Sequence, residues 1–98
     1  MILERARFQT RPDAQGDFER AFETARTVIS QAGGYRSLRL LRGIEKPTEY
    51  LLLIEWDSVA DHMEGFRGSE LFERWAELLR PYYAAPPEVE HFDPVVSQ

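Results

Sequence analysis

The stretch Glu49–Trp56, EYLLLIEW, constrains the fold more than any other part of the chain. It is a nearly continuous apolar run framed by Glu, with aromatic and β-branched members. A strand open to water on one side would alternate, so this one reads as covered on both faces. It leads into Asp57 and Ser58, which are helix-starting residues, and then into a short helical segment at about 58–65 carrying His62. Phe66-Arg67-Gly68 breaks that segment. Ser69 caps a second helix at about 70–82, whose buried stripe is Leu71, Phe72, Trp75, Leu78, Leu79 and Tyr82. A buried strand followed by a broken helix with a histidine and several aromatics is either the roof of a pocket or plain core.

The flanking segments supply the rest of one domain spanning residues 1–98. Residues 2–10 alternate, with Ile2, Ala6 and Phe8 on one side and Arg5, Arg7 and Gln9 on the other; Glu4 is the exception on the apolar side. Pro12 ends this strand and Asp13 is a good N-cap. A helix over about 14–32 has Phe18, Ala21, Phe22, Ala25, Val28, Ile29 and Ala32 as its stripe, Glu23 and Arg26 as a favourable surface pair, and Gly33-Gly34 as its left-handed stop. Residues 35–42 form a second strand joined to Glu49–Trp56 through a Pro47-containing loop, and 88–93 form a last strand after Pro86-Pro87. The order β-α-β-β-α-β, with its second helix broken, predicts an α+β, ferredoxin-like fold: an antiparallel sheet with helices on one face. Leu51 and Leu53, with Leu38 and Leu40, then exceed what one helical layer covers, which predicts a homodimer.

Composition removes several function classes. There is no cysteine, which excludes thiolate chemistry and Cys-based metal sites, and Lys46 is the only lysine, which leaves little for Schiff-base or P-loop chemistry. A net charge of −5 argues against a nucleic-acid partner. No apolar stretch approaches the ~20 residues of a membrane span. Charges at Glu4, Arg5 and Arg7 interrupt any N-terminal signal segment, so a cytoplasmic protein is expected. No serine lies in a nucleophile motif, and no glycine-rich run suits a dinucleotide.

Trp56-Asp57-Ser58, followed by Asp61-His62, Phe66, Ser69, Phe72 and Trp75, resembles the antibiotic biosynthesis monooxygenase family. The likeness extends over almost the whole chain, through the Pro turn before the first helix, the Gly pair before the second strand, and Pro86-Pro87 before a last strand with His91. The resemblance implies a dimeric α+β barrel, with a pocket in each subunit between the sheet and the broken helix. It implies oxidation of electron-rich phenols, anthrones or quinols by molecular oxygen, with no metal, flavin or other cofactor. A haem-degrading branch of this group uses an Asn, a Trp and a His. This chain has no Asn, and Ala6, Phe66 and Ala76 stand near those three positions, so haem degradation is not carried over.

His62 is the leading catalytic candidate. A neutral imidazole can take a proton from a phenol or quinol, which is the step a side chain can supply in cofactor-free oxygenation; the bland alternative is a histidine at the surface of its helix. His91 alternates with Val89 and is either a ligand contact or a hydrogen-bonded structural histidine. A metal site from the two histidines with Glu4 or Asp61 matches no known spacing and is not assigned. Phe66, Phe72, Trp75 and Tyr82 are the candidate walls for a planar aromatic, although aromatics at helical spacing also serve simply as core. Trp56 is structural, and Tyr82 or Tyr83 is placed to bond a ligand oxygen. Arg39 and Arg7 interrupt apolar strands; Arg39 is the candidate to stabilise a phenolate, against the alternative of an exposed or intersubunit ion pair. The expected function is a cofactor-independent monooxygenase. The alternatives are a non-catalytic ligand-binding or stress-associated protein of the same fold, and a dimer whose interior is packed solid.

Overall fold

Two-residue alternation in the strands and a three-four stripe in the helices bring the chain together as one sheet under one helical layer. The computed structural model describes residues 1–97. In chain order it contains β1 (Ile2–Gln9), α1 (Gln15–Ile29), β2 (Tyr35–Arg42), β3 (Glu49–Trp56), a π-turn (Asp61–Phe66), α2 (Glu70–Leu79), a 3-10 turn (Arg80–Tyr82) and β4 (Glu88–Phe92). The strands pair antiparallel in the order β2-β3-β1-β4. This is the α+β, ferredoxin-like arrangement expected from the order of elements. No helix among the described residues is long and apolar enough to cross a membrane.

The core lies between the inner sheet face and the two helices. Tyr50, Leu52, Ile54 and Trp56 of β3 are all buried there, against Phe18, Phe22, Val28 and Ile29 of α1 and Trp75 and Leu79 of α2. Aromatic contacts join the layers: Phe18 meets Tyr50 at 4.7 Å between ring centroids, and Phe22 meets Trp75 edge-on at 5.4 Å. Burying each such side chain stabilises the fold by about 1.5–3 kcal/mol. Leu51 and Leu53 are half-buried on the outer face. The register corrects one expectation about that face: Leu38 and Leu40 lie opposite Ile54 and Leu52 and pack on the core. The outer face combines Leu3, Leu41, Leu51, Leu53 and Phe92 with Arg5, Arg7 and Arg39. Glu23 and Arg26 pair as anticipated, at 3.0 Å.

Helix ends differ from the sequence expectation for local reasons. Ala14, not Asp13, is the N-cap of α1, and Asp13 takes a left-handed φ of 69°, which aspartate tolerates. The helix stops at Ile29, because Gln31 and Ala32 donate back to Val28 and Ile29 carbonyls and tighten the last turn. The left-handed residue is Gly34 (φ 83°), at the entry to β2 rather than at the helix cap. α2 likewise ends at Leu79, where Pro81, having no N–H to offer, turns the chain into the 3-10 geometry.

Gly34 also fixes the segment that carries His62. Its carbonyl accepts the Asp57 N–H at 2.8 Å, and a Cβ there would stand 2.4 Å from the Asp61 carboxyl. Nothing lies within 4 Å of a Cβ at Gly33. Gly34→Ala is expected to lower the unfolding free energy in urea by about 1–3 kcal/mol, and Gly33→Ala by less than about 0.5 kcal/mol. Equal losses in the two variants would contradict this assignment.

Candidate functional site

Alternation along β1 puts Glu4, Ala6 and Phe8 on the inner face, so a carboxyl enters the core with its apolar neighbours and is only 4% exposed. A carboxyl so placed needs hydrogen-bond partners. The register sets Glu4 opposite Ile54 on β3 and His91 on β4. Trp56, two residues along β3, reaches it and donates its indole N–H to Glu4 Oε1 at 2.8 Å. Trp56 is itself wholly buried, and this bond gives its N–H the partner that burial demands.

His62 is delivered by the π-turn. Ser58 Oγ accepts the Asp61 N–H at 3.1 Å and donates to the Asp61 carboxylate at 3.0 Å, which starts the turn. The Arg67 N–H donates to the His62 carbonyl at 3.0 Å, an i to i+5 bond that widens the turn, a geometry common at functional sites. The imidazole is 3% exposed and stacks on Trp56 at 5.3 Å and on Phe66 at 6.3 Å. Its Nε2 lies 3.3 Å from Glu4 Oε1, and its Nδ1 lies 2.8 Å from His91 Nε2. Glu4, His62 and His91 thus form a line across three elements.

Burial shifts both inner groups toward neutrality. Burial, with His91 and Arg67 nearby, pushes His62 down to about 4. Burial raises Glu4 to about 7 against the opposing effects of the Trp56 hydrogen bond and the Arg67 charge. At neutral pH, His62 is uncharged and Glu4 is poised between its two states.

These groups form part of the wall of a cavity of about 700 Å³, enclosed by β1, β3, the π-turn, α2 and the Ala84–Pro87 segment. Phe66, Phe72, Trp75 and Tyr83 supply its aromatic surface. Phe66 meets Phe72 edge-on at 5.5 Å, and Tyr83 stacks on Phe8 at 5.4 Å. Arg67 and Arg80 also line the cavity, and among the described residues neither is in a salt bridge. The Arg67 guanidinium stands 5.2 Å from the centre of the Phe72 ring.

Of the residues singled out from the sequence, His62, Phe66, Phe72 and Trp75 meet at this cavity. His91 stands behind His62 rather than in the wall. Tyr82 is half-buried on the core, and Tyr83 takes the wall position because the chain becomes extended as it leaves the 3-10 turn. Arg39 is exposed and sits opposite Leu53 on the outer face, where it lines a groove with Leu3 and Glu55. Ala6, Phe66 and Ala76 all lie in the cavity wall, so no Asn–Trp–His set faces it. Among the described residues no group of three His, Cys, Asp or Glu side chains could hold a metal ion. Arg67 and Arg80 carried no role in the site at the level of sequence, and Glu4 stood out there as a charge on an apolar strand face and as a metal ligand that was weighed and not assigned.

The opposed shifts have a measurable consequence. Glu4 stabilises the fold below its ordinary value of 4.5 and loses that contribution as pH rises to about 7. His62 stabilises it above 6.5 and loses that contribution as pH falls to about 4. Between 4.5 and 6.5 the two cancel: folding moves a proton from the histidine to the carboxyl without changing the number bound. In urea unfolding, Glu4→Gln should make stability rise with pH across this window relative to the unsubstituted protein, and His62→Gln should make it fall. Each slope approaches about 1.4 kcal/mol per pH unit, the value for one proton. Parallel pH profiles for all three proteins would refute the arrangement.

Comparison with known proteins identifies the family and the fold. The family model described as antibiotic biosynthesis monooxygenase matches residues 1–78. The Bacillus subtilis (strain 168) protein YczJ, itself uncharacterized, is 40% identical over 95 residues, covering 97% of this chain and all of YczJ. A crystal structure of a Bordetella bronchiseptica protein named for the same monooxygenase family superposes with a TM-score of 0.94 at 36% identity, covering 97% of each chain. The fold is also that of SnoaB, a cofactor-independent oxygenase from Streptomyces nogalater: TM-score 0.83, 20% identity, 98% of this chain and 94% of SnoaB covered. In sequence and in fold, this chain belongs to the antibiotic biosynthesis monooxygenase family.

Proposed function

We propose that the protein is a cofactor-independent monooxygenase. Its substrate is a planar hydroxylated aromatic of the phenol, anthrone or quinol type, and molecular oxygen is its co-substrate. The observation that carries this reading is a buried, uncharged His62 in contact with Glu4 in the wall of an aromatic-lined cavity of about 700 Å³. That volume suits one ligand of two or three fused rings. A dimer packed solid would not leave it.

The chemistry follows from what the wall offers. Removing a proton from a hydroxyaromatic makes an electron-rich anion, which then passes an electron to oxygen. The His62–Glu4 pair is the proton acceptor the cavity provides. Phe66, Phe72 and Trp75 would hold the ring system, and Arg67 and Arg80 would stabilise the anion once formed, the part the sequence reading gave to Arg39. SnoaB, named as a cofactor-independent oxygenase, offers a precedent for such chemistry on this fold. We also propose that the protein works in the cytoplasm as a homodimer joined through the outer sheet face, where Leu51 and Leu53 are half-buried beside Phe92, which is 47% exposed.

Oxygen uptake by metal-stripped protein with a panel of anthrones, quinols and catechols tests the reading. At least one member should be consumed at a rate proportional to protein, and His62→Ala should lower that rate by about 100-fold or more. Because His62 is buried against the Trp56 and Phe66 rings, His62→Gln serves as the better-filled companion variant. Uptake unaffected by both variants would remove His62 from the chemistry. Quenching of the tryptophan fluorescence by panel members without any uptake would make the protein a ligand-binding domain instead.

A further inference from the structure

The hydrogen bonds around Glu4 divide labour within the site more finely than that reading does. Oε1 receives both contacts, the Trp56 indole N–H and the approach of His62 Nε2. Oε2 has no protein partner among the described residues, and Glu4 lines the cavity. His62 is occupied on both sides, Nε2 toward Glu4 and Nδ1 toward His91. Neither imidazole nitrogen is therefore free to meet a ligand. His91 is half-buried and sits on β4, the edge strand beside β1.

We propose that Glu4 is the group that takes the substrate's proton, and that His62 and His91 relay that proton to the open edge of the sheet. The proposal rests on the oxygenase reading for the identity of the substrate, but the relay itself does not. In the step, the substrate O–H bond breaks, its electron pair stays behind on the substrate as an anion, and a new O–H bond forms on Glu4. No oxidant enters at this stage.

Two proton arrangements satisfy all three groups. With Glu4 protonated, its O–H points at His62 Nε2, His62 donates from Nδ1 to His91 Nε2, and His91 carries its own proton on Nδ1. With Glu4 ionised, His62 donates from Nε2 to the carboxylate, and His91 donates from Nε2 to His62 Nδ1. Passing from the protonated to the ionised arrangement shifts one proton across each contact and releases one from His91 Nδ1. The substrate's proton arrives on Oε2, and the relay is reset when the carboxyl turns its O–H toward His62 Nε2 and both imidazoles resume their Nδ1–H forms. The 3.3 Å between His62 Nε2 and Glu4 is slightly longer than an ordinary hydrogen bond, and such contacts tighten when a ligand closes the site. The charged or titratable groups facing Glu4 are His62 and Arg67 from the π-turn and its end, His91 from β4, and Arg80 and Tyr83 across the cavity. Its neighbours along β1, Arg5 and Arg7, point to the other face of the sheet. A carboxyl that burial holds near 7 can occupy either arrangement at neutral pH.

Nitrogen-15 spectra of histidine in the full chain, followed from pH 5 to 9, test the relay without a substrate. The expected result is that the proton on His62 moves from Nδ1 to Nε2 as Glu4 ionises near pH 7, that His91 changes with it, and that His62 never becomes cationic in this range. Glu4→Gln, which keeps an acceptor for Trp56, should abolish the change, and Glu4→Asp should retain a pH-dependent one. A His62 tautomer that ignores pH, or one that switches unaltered in Glu4→Gln, overturns the proposal. Oxygen uptake with an anthrone separates this outcome from the fate of the oxygenase reading. Glu4→Gln should lower the rate by about 100-fold or more and flatten its rise toward pH 7. His91→Ala should lower it less, with added imidazole restoring it. Full activity in Glu4→Gln would sink the relay and leave the oxygenase standing. A tautomer switch without uptake of oxygen would do the reverse.

Discussion

A carboxyl group buried on an apolar sheet face is the constraint around which this site is arranged. Glu4 is carried into the core by strand alternation, as its neighbours Ala6 and Phe8 are, and nothing in the local sequence relieves the cost of burying it. Relief comes from three other elements: the Trp56 indole from β3, the His62 imidazole from the π-turn, and His91 from β4 behind it. Each of these has its own requirement. The indole N–H needs an acceptor, and an imidazole buried against aromatic rings needs partners for both nitrogens. The same four side chains satisfy one another and leave one carboxyl oxygen over.

On the proposed function, that surplus makes the cluster more than a structural plug. A fully satisfied buried network would rigidify the core and do nothing else. Here the network ends at a cavity wall on one side and at an edge strand on the other. On the proposed function, the aromatic walls and Arg67 and Arg80, which among the described residues join no salt bridge, would hold a flat, acidic ring system and tolerate its anion. The π-turn carries His62 to its place beside Trp56 and Phe66, with which it forms a cluster of three mutually touching rings.

Much of the fold was legible because it rests on local periodicity. Glu49–Trp56 announced a central strand, the three-four stripes announced the helices, and their order gave the topology. Helix ends were less legible: the chain tightens after Ile29 and after Leu79 through turn hydrogen bonds that composition does not reveal. Within the site, His62, Phe66, Phe72 and Trp75 could be read because they share one broken helix. Glu4 stood out as the misplaced charge of β1, but its meaning depended on a register that brings residues from opposite ends of the chain together. The sequence offered both Tyr82 and Tyr83, and the end of the 3-10 turn at Tyr82 leaves Tyr83 in the wall; strand pairing sends Arg39 to the outer face.

On the proposed function, the cavity turns a bound hydroxyaromatic into its anion at a pH where the free molecule stays neutral. Absorption spectroscopy of a hydroxyanthrone bound to the protein under nitrogen reports that ionisation directly, with no turnover required. The anion band is expected to appear on binding, to grow as pH rises through about 7, and to be missing in Glu4→Gln although the probe still binds. A probe that binds and stays neutral throughout, or that ionises equally well in Glu4→Gln, would contradict it.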